Sequence, residues 1–221
     1  MTPPIIGFIG WHDSGKTTLV SSVVRCLRDR GLRVGVIKSS KDQGIAFGAP
    51  DTDTAKHRRA GADPVVFIAP DQVVMLSDNH RLTFMETCSR YLDQVDVIIA
   101  EGFKDEPAIP KIEVFRGPDL APLREKVPGV IAVASDTQIP VLPCLPLNNP
   151  QAVTEFIVDH LQTIPGHPGE TLAQVTINGQ HQEIPLKMQA ETTRYLSRLS
   201  ASLQQPFDPQ AITIQIQTKK E

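Results

Sequence analysis

The chain has 221 residues, a formal net charge of −3, and an ordinary composition with 40% hydrophobic and 21% charged residues. So small a charge argues against nucleic acid as the main partner, no run approaches the roughly 18 apolar residues of a membrane span, and nothing at the N-terminus has the form of a signal peptide, which makes the cytoplasm the default compartment. Cys26, Cys88 and Cys144 are widely separated and lack C-x-x-C spacing, so they fit neither a disulfide framework nor a zinc knuckle and are expected to be buried free thiols.

Taken in order, Ile5–Ile9 is an apolar run of strand length. Gly10-Trp11-His12-Asp13-Ser14-Gly15-Lys16-Thr17 follows it as G-x-x-x-x-G-K-T, and Thr18 leads into the apolar-periodic segment Leu19–Leu27. Strand, phosphate loop and helix is the expected succession. The glycines allow a tight turn that aims backbone N–H groups inward at a di- or triphosphate. Lys16 can reach the β- and γ-phosphates, and the Thr17 hydroxyl is placed to ligate Mg2+. The helix N-terminus beneath adds its partial positive charge. Trp11 either covers a nucleotide or seats a partner. His12 either touches a phosphate or fills a permissive position.

The first helix is expected to stop near Arg30-Gly31 with the glycine as cap. Arg33–Lys38 reads as the second parallel strand, completing a right-handed βαβ unit. The polar loop 39–50 falls at the ligand-binding edge of such a sheet. A charged helix over Asp51–Gly61, a hairpin of Val65–Ala69 and Val73–Leu76, and a helix from a Thr83/Glu86 capping box to Leu92 come next. Val95–Gly102, Lys111–Phe115 and Val130–Ala134 complete the core strands, and Pro150–Leu161 is a helix. Beyond the linker-like 164–169, Leu172–Ile177 and Gln180–Leu186 around Asn178-Gly179 read as a hairpin. A helical pattern over Lys187–Leu203 and alternation at Ile212, Ile214 and Ile216 extend this to ββαβ.

Strand ends supply the remaining chemistry. Glu101 ends an apolar strand beside Gly102, where it can hold Mg2+ or orient a water. Asp53 is either a metal ligand or a helix cap. Asp136 follows the last core strand, where a carboxylate can accept from both donors of a guanine Watson–Crick edge; adenine lacks that pair. Lys38, Lys104 and Lys111 either counter phosphates of the nucleotide or of a second anion, or are solvated lysines. The expectation is an α/β, P-loop NTPase-type, mostly parallel sheet over residues 1–163, with a small α+β extension over 164–221.

Gly10–Thr18, Val34–Lys38, Thr52-Asp53-Thr54 with His57-Arg58 and Ala60-Gly61-Ala62, Ile98–Lys104 and Ile109–Val114 follow one another in this order. The succession resembles the molybdopterin-guanine dinucleotide biosynthesis adaptor proteins, the MobB family, over residues 5–161. The resemblance implies a GTP-binding, homodimeric P-loop protein with at most weak Mg2+-dependent GTPase activity. It implies that the protein assists the guanylyltransferase that joins GMP to molybdenum-bound molybdopterin, with molybdopterin itself a possible ligand. It places Lys16 and Thr17 on phosphate and Mg2+, Asp53 and Glu101 on the metal or water side, and Asp136 near guanine. Two departures stand out. Ser39 occupies a position where members often carry histidine, and 164–221 lie outside the shared pattern. A small-molecule kinase of the same fold is the alternative, against which stands the lack of arginine in the segment after Asp136. A metal-insertion GTPase is another, against which stands the lack of a Cys/His pair.

Overall fold

Apolar runs too short for a helix and rich in β-branched residues become strands wherever both faces are covered, and that rule builds the centre of this molecule. The computed structural model describes residues 2–45, 49, 51–79, 82–117, 120–140 and 142–163, with strand segments 173–177, 180–182 and 212–216. The elements in chain order are β1 (Ile5–Ile9), α1 (Lys16–Asp29), β2 (Val34–Lys38), α2 (Asp53–Arg59), β3 (Val65–Ile68), β4 (Val73–Leu76), α3 (Phe84–Tyr91), β5 (Val97–Glu101), β6 (Lys111–Phe115), a 3-10 turn at Leu123–Glu125, β7 (Val130–Ser135), β8 (Cys144–Pro146), α4 (Pro150–Gln162), β9 (Ala173–Ile177), β10 (Gln180–Gln182) and β11 (Ile212–Ile216). They fall into two compact units, Met1–Ser39 with Cys88–Glu221, and Ser40–Thr87.

The first unit carries a six-stranded sheet in the order β2-β5-β1-β6-β7-β8, with every neighbouring pair parallel. One face is covered by α1 through Leu19, Val20, Val23 and Leu27 and by α4 through Val153, Ile157 and Leu161. These pack into one core with Ile6, Phe8, Ile99, Ile112, Val114 and Ala132. Each fully buried aliphatic side chain contributes roughly 1.5–3 kcal/mol, so these two helices account for much of what holds the sheet. Gly31, at φ 85, follows the end of α1. Asn149 caps α4 by accepting from Ala152 N at 3.1 Å, with Pro150 in its first turn.

The edge strand β8 was not expected from sequence. Cys144-Leu145-Pro146 is too short to show a period of two, and proline in a strand is tolerated only at such an edge. The three cysteines are free, Cys88 buried and Cys26 and Cys144 half-buried.

In the second unit, Thr52 caps α2 by accepting from Ala55 N, so the capping role weighed for Asp53 belongs to its neighbour. β3 and β4 form the expected antiparallel hairpin, from Val65 opposite Leu76 to Ile68 opposite Val73. The capping box is present: Glu86 N donates to Thr83 Oγ1 at 3.2 Å, and Thr83 N donates to Glu86 Oε2 at 2.8 Å. β9 pairs antiparallel with β10 and parallel with β11. The linker near 164, the Asn178-Gly179 turn and the helical pattern over Lys187–Leu203 lie outside the described residues.

Candidate functional site

A parallel sheet delivers the last residue of every strand to one edge, and the strand order changes direction on either side of β1, which makes the space above β1 the favoured place for a ligand. Gly10–Thr17 turns there. At Gly10 a Cβ would lie 2.6 Å from the Val114 carbonyl and 2.7 Å from Ser14 Oγ. No other residue fits between loop and β6. Asp13 and Gly15 have φ 57 and 84, the left-handed values that curl the loop around its own amides. His12 Nδ1 and Asp13 Oδ2 stand 2.8 Å apart on the exposed rim. Thr18 is exposed, and its carbonyl accepts from Ser22 Oγ inside α1.

Lys16 folds back over the loop, its Nζ donating to the Trp11 carbonyl at 2.5 Å and to Ser14 Oγ at 3.3 Å. Burial lowers its pKa, helped by the charge of Lys38 and opposed by Glu101 and Asp13. An ammonium partly stripped of water and satisfied only by neutral oxygens gains by turning to a phosphate, which offers a charged acceptor.

Glu101, at the end of β5, is buried at 6% exposure. Its Oε1 accepts from the Thr17 hydroxyl at 2.6 Å and from Lys38 Nζ at 2.9 Å, and Lys38 Nζ also lies 3.5 Å from Thr17 Oγ1. Burial alone would raise the carboxyl pKa. The bonds from Thr17 and Lys38 and the charges of Lys38 and Lys16 outweigh it and hold the group below its ordinary value. The register makes this possible, because Lys38 and Phe8 both stand opposite Glu101 on its two neighbouring strands. Ser39 N donates to the Glu101 carbonyl at 3.1 Å, and the Ser39 side chain packs against Gly102.

The other side of the loop is held by the segment after β6. Arg116 Nε donates to the Ser14 carbonyl at 2.9 Å, and its guanidinium lies where a Cβ on Gly15 would clash. Its Nη1 stands 3.7 Å from Asp136 Oδ2, and Asn148 donates to Asp136 Oδ1 at 3.3 Å. The lone tryptophan, Trp11, donates through Nε1 to the Ala121 carbonyl at 2.8 Å. Glu113, 1% exposed, accepts from Leu123 N at 2.6 Å and from Arg124 Nη1 at 2.8 Å, which ties down the far end of this segment. Sequence reading sought arginines after Asp136 and passed over Arg116. Its place directly after the apolar strand Lys111–Phe115 is a local signal, but that this strand lies beside β1 comes from the fold.

The structure therefore brings Gly10–Thr17, Lys38 and Glu101 together, with Asp136 joined to the loop through Arg116. Lys104 follows β5 on the same edge and is exposed. Lys111 is not brought there. It opens β6 opposite Gly7, two residues before the end of β1, and is fully buried with its ammonium on the carbonyls of Ile109 at 3.1 Å and Pro128 at 3.0 Å. Burial lowers its pKa, against the attraction of Glu106. An anion contact or a solvated surface position, the two readings open from sequence, both yield to this buried one. Asp53 belongs to the second unit, where it is exposed and 2.9 Å from Lys56 Nζ. Among the described residues no group of three or more His, Cys, Asp or Glu side chains is placed to hold a metal ion, and no helix is long and apolar enough to cross a membrane.

Residues 5–136 match the family model described as molybdopterin guanine dinucleotide synthesis protein B. The chain is 31% identical over 166 residues to the molybdopterin-guanine dinucleotide biosynthesis adapter protein of Escherichia coli K12, covering 72% of this chain and 94% of that protein. It is 28% identical to the protein of the same description from Haemophilus influenzae, over 74% of this chain and 92% of that one. Among solved structures, a crystal structure of molybdopterin-guanine biosynthesis protein B aligns at a TM-score of 0.58 with 27% identity, over 71% of this chain and 99% of the other. A MobB homolog from Bacillus stearothermophilus, at 18% identity and a TM-score of 0.56, shares the fold over 72% of this chain.

Proposed function

The chain belongs to the MobB family, and from that premise we propose that it is a GTP-binding adapter in molybdopterin guanine dinucleotide biosynthesis. It acts as a cytoplasmic homodimer beside the guanylyltransferase of that pathway, with molybdopterin the second ligand. The observation that carries this reading is the charge arrangement at one sheet edge, where Lys16, Thr17, Lys38 and Glu101 surround a loop built to receive phosphates. Thr17 and Glu101 suit Mg2+: a hydroxyl and a buried carboxylate already share one cation, the Lys38 ammonium. A bound Mg2+ would neutralise developing phosphate charge, and the low count of protein ligands fits an ion that keeps several waters.

Lys16 leaves the Trp11 carbonyl for the phosphates, while the loop amides between Asp13 and Thr18 orient them. Glu101 is already engaged by two donors and is a weak proton acceptor because its pKa is held low. As a general base Glu101 is therefore weak, and slow hydrolysis is expected, as befits a protein that holds GTP for another enzyme. Asp136, directly after β7 and with Asn148 beside it, is the group we assign to the guanine base. Dimerisation would cover the β3–β4 hairpin, whose Phe67, Ile68 and Val73 are 48%, 75% and 66% exposed. Two strands with so much open apolar surface are not stable alone and ask for a covering surface.

Titration with GTP and ATP in the presence of Mg2+, on the full chain and on Asp136→Ala, tests the reading. GTP is expected to bind more tightly to the full chain, and the variant to lose that preference. Equal affinity of the unaltered chain for both nucleotides would sink the guanine assignment.

A further inference from the structure

We propose that Lys38 is a resident cation of the Thr17–Glu101 pair: its ammonium holds the place of the divalent ion while the nucleotide is absent, and Mg2+ enters by displacing it. The inference rests on the nucleotide reading above and deepens it. A buried carboxylate without a cation is costly, and Glu101 meets this demand inside the chain. One ammonium touches both oxygens that Mg2+ would use, Glu101 Oε1 at 2.9 Å and Thr17 Oγ1 at 3.5 Å. Lys16 adds its charge from a distance, but its Nζ is turned to the Trp11 carbonyl and Ser14 Oγ, so the direct contact falls to Lys38.

The placement also permits exchange. Lys38 is the last residue of the edge strand β2, and its side chain is 57% exposed, so the ammonium can swing away without disturbing the core. The next residue holds the backbone in place through Ser39 N and the Glu101 carbonyl. The movement is thus confined to a side chain. A divalent ion held by Thr17 and Glu101 would stand beside the Lys38 ammonium, a like charge that would oppose it until the ammonium swings away. Conversely, with Lys38 in place Glu101 is already neutralised and does not repel an incoming triphosphate. Nucleotide binding before the metal is the consequence, with Mg2+ entering afterwards and releasing Lys38 toward the phosphates.

The test compares the full chain with Lys38→Met and Lys38→Arg, measuring GTP affinity in EDTA and then titrating Mg2+ into the GTP-bound protein. Lys38→Met is expected to weaken GTP binding in EDTA and to lower the Mg2+ midpoint, each by about tenfold, the scale of one unit charge acting a few ångströms away in a partly hydrated site. Lys38→Arg keeps the charge and should leave the Mg2+ midpoint near its original value. An unchanged midpoint in Lys38→Met overturns the proposal. A second readout needs no nucleotide: Lys38→Met should lower the melting temperature of the free protein, and the difference should vanish in a Glu101→Gln background. Persistence of the full difference in that background also overturns it. Failure of the unaltered chain to bind GTP would instead sink the reading beneath, leaving the melting comparison to decide the role of Lys38.

Discussion

Arg116 Nε donates to the Ser14 carbonyl at 2.9 Å, while its Nη1 faces Asp136 Oδ2 at 3.7 Å. One planar guanidinium thus joins the phosphate loop to the carboxylate where the base is proposed to lie. Arg116→Ala should weaken GTP binding by about tenfold, the scale of one charge-assisted hydrogen bond, while inorganic tripolyphosphate, which has no base, should lose less. Lysine at this position offers a point charge in place of a fork and should restore only part of the loss. Equal losses for both ligands, measured by calorimetry, would reduce Arg116 to a phosphate contact.

Trp11 is the only tryptophan in the chain, and it stands inside the phosphate loop with its indole N–H on the Ala121 carbonyl. Its fluorescence should therefore change when nucleotide fills the loop, in a saturable titration. Trp11→Phe keeps the ring but loses the hydrogen bond, worth about 0.5–1.5 kcal/mol. A signal unmoved by saturating nucleotide would show that the indole is insulated from the ligand.

Glu101 contributes to the pH dependence of stability. Its folded pKa is held below the ordinary value, so the unfolded chain binds the proton first. The stabilisation is complete above the unfolded carboxylate pKa and is lost as pH falls through the lower folded one. Glu101→Gln should be less stable than the unaltered chain at neutral pH, with the gap closing in acid below that window. Thermal melts across the range check this, and a gap that widens in acid would contradict it.

Lys111 should prove structural. Its ammonium donates to the carbonyls of Ile109 and Pro128 in a fully buried position. Lys111→Met keeps most of the volume but removes both bonds, and should cost about 1–3 kcal/mol of stability with GTP affinity unchanged. A drop in affinity without a drop in stability would return Lys111 to the site.

The hairpin gives the last test. If the proposed dimer forms through this hairpin, replacing Ile68 by Asp on β3 should shift it to monomer in sedimentation, because a charge cannot be buried in an apolar contact without a partner. A dimer that survives this change and Val73→Asp together would place the subunit contact elsewhere.

Much of this protein was determined by local sequence. Ile5–Ile9 followed by Gly10–Thr17 specifies strand, loop and helix because apolar periodicity and glycine backbone freedom act within a few residues. For the same reason the Thr83–Glu86 box and Pro150 mark helix starts correctly. The end of β5 at Glu101 was legible too, since in a parallel sheet a carboxylate closing an apolar run must reach the carboxyl edge. What needed the tertiary structure were relations across the sheet. Lys111 and Lys38 look alike in sequence, a lysine beside apolar residues, yet one opens its strand and is buried while the other closes its strand and meets Glu101. Arg116 and Ser14 are 102 positions apart. Only the β1–β6 pairing makes them neighbours, because strand order and register, which no short window encodes, decide which strand ends share an edge.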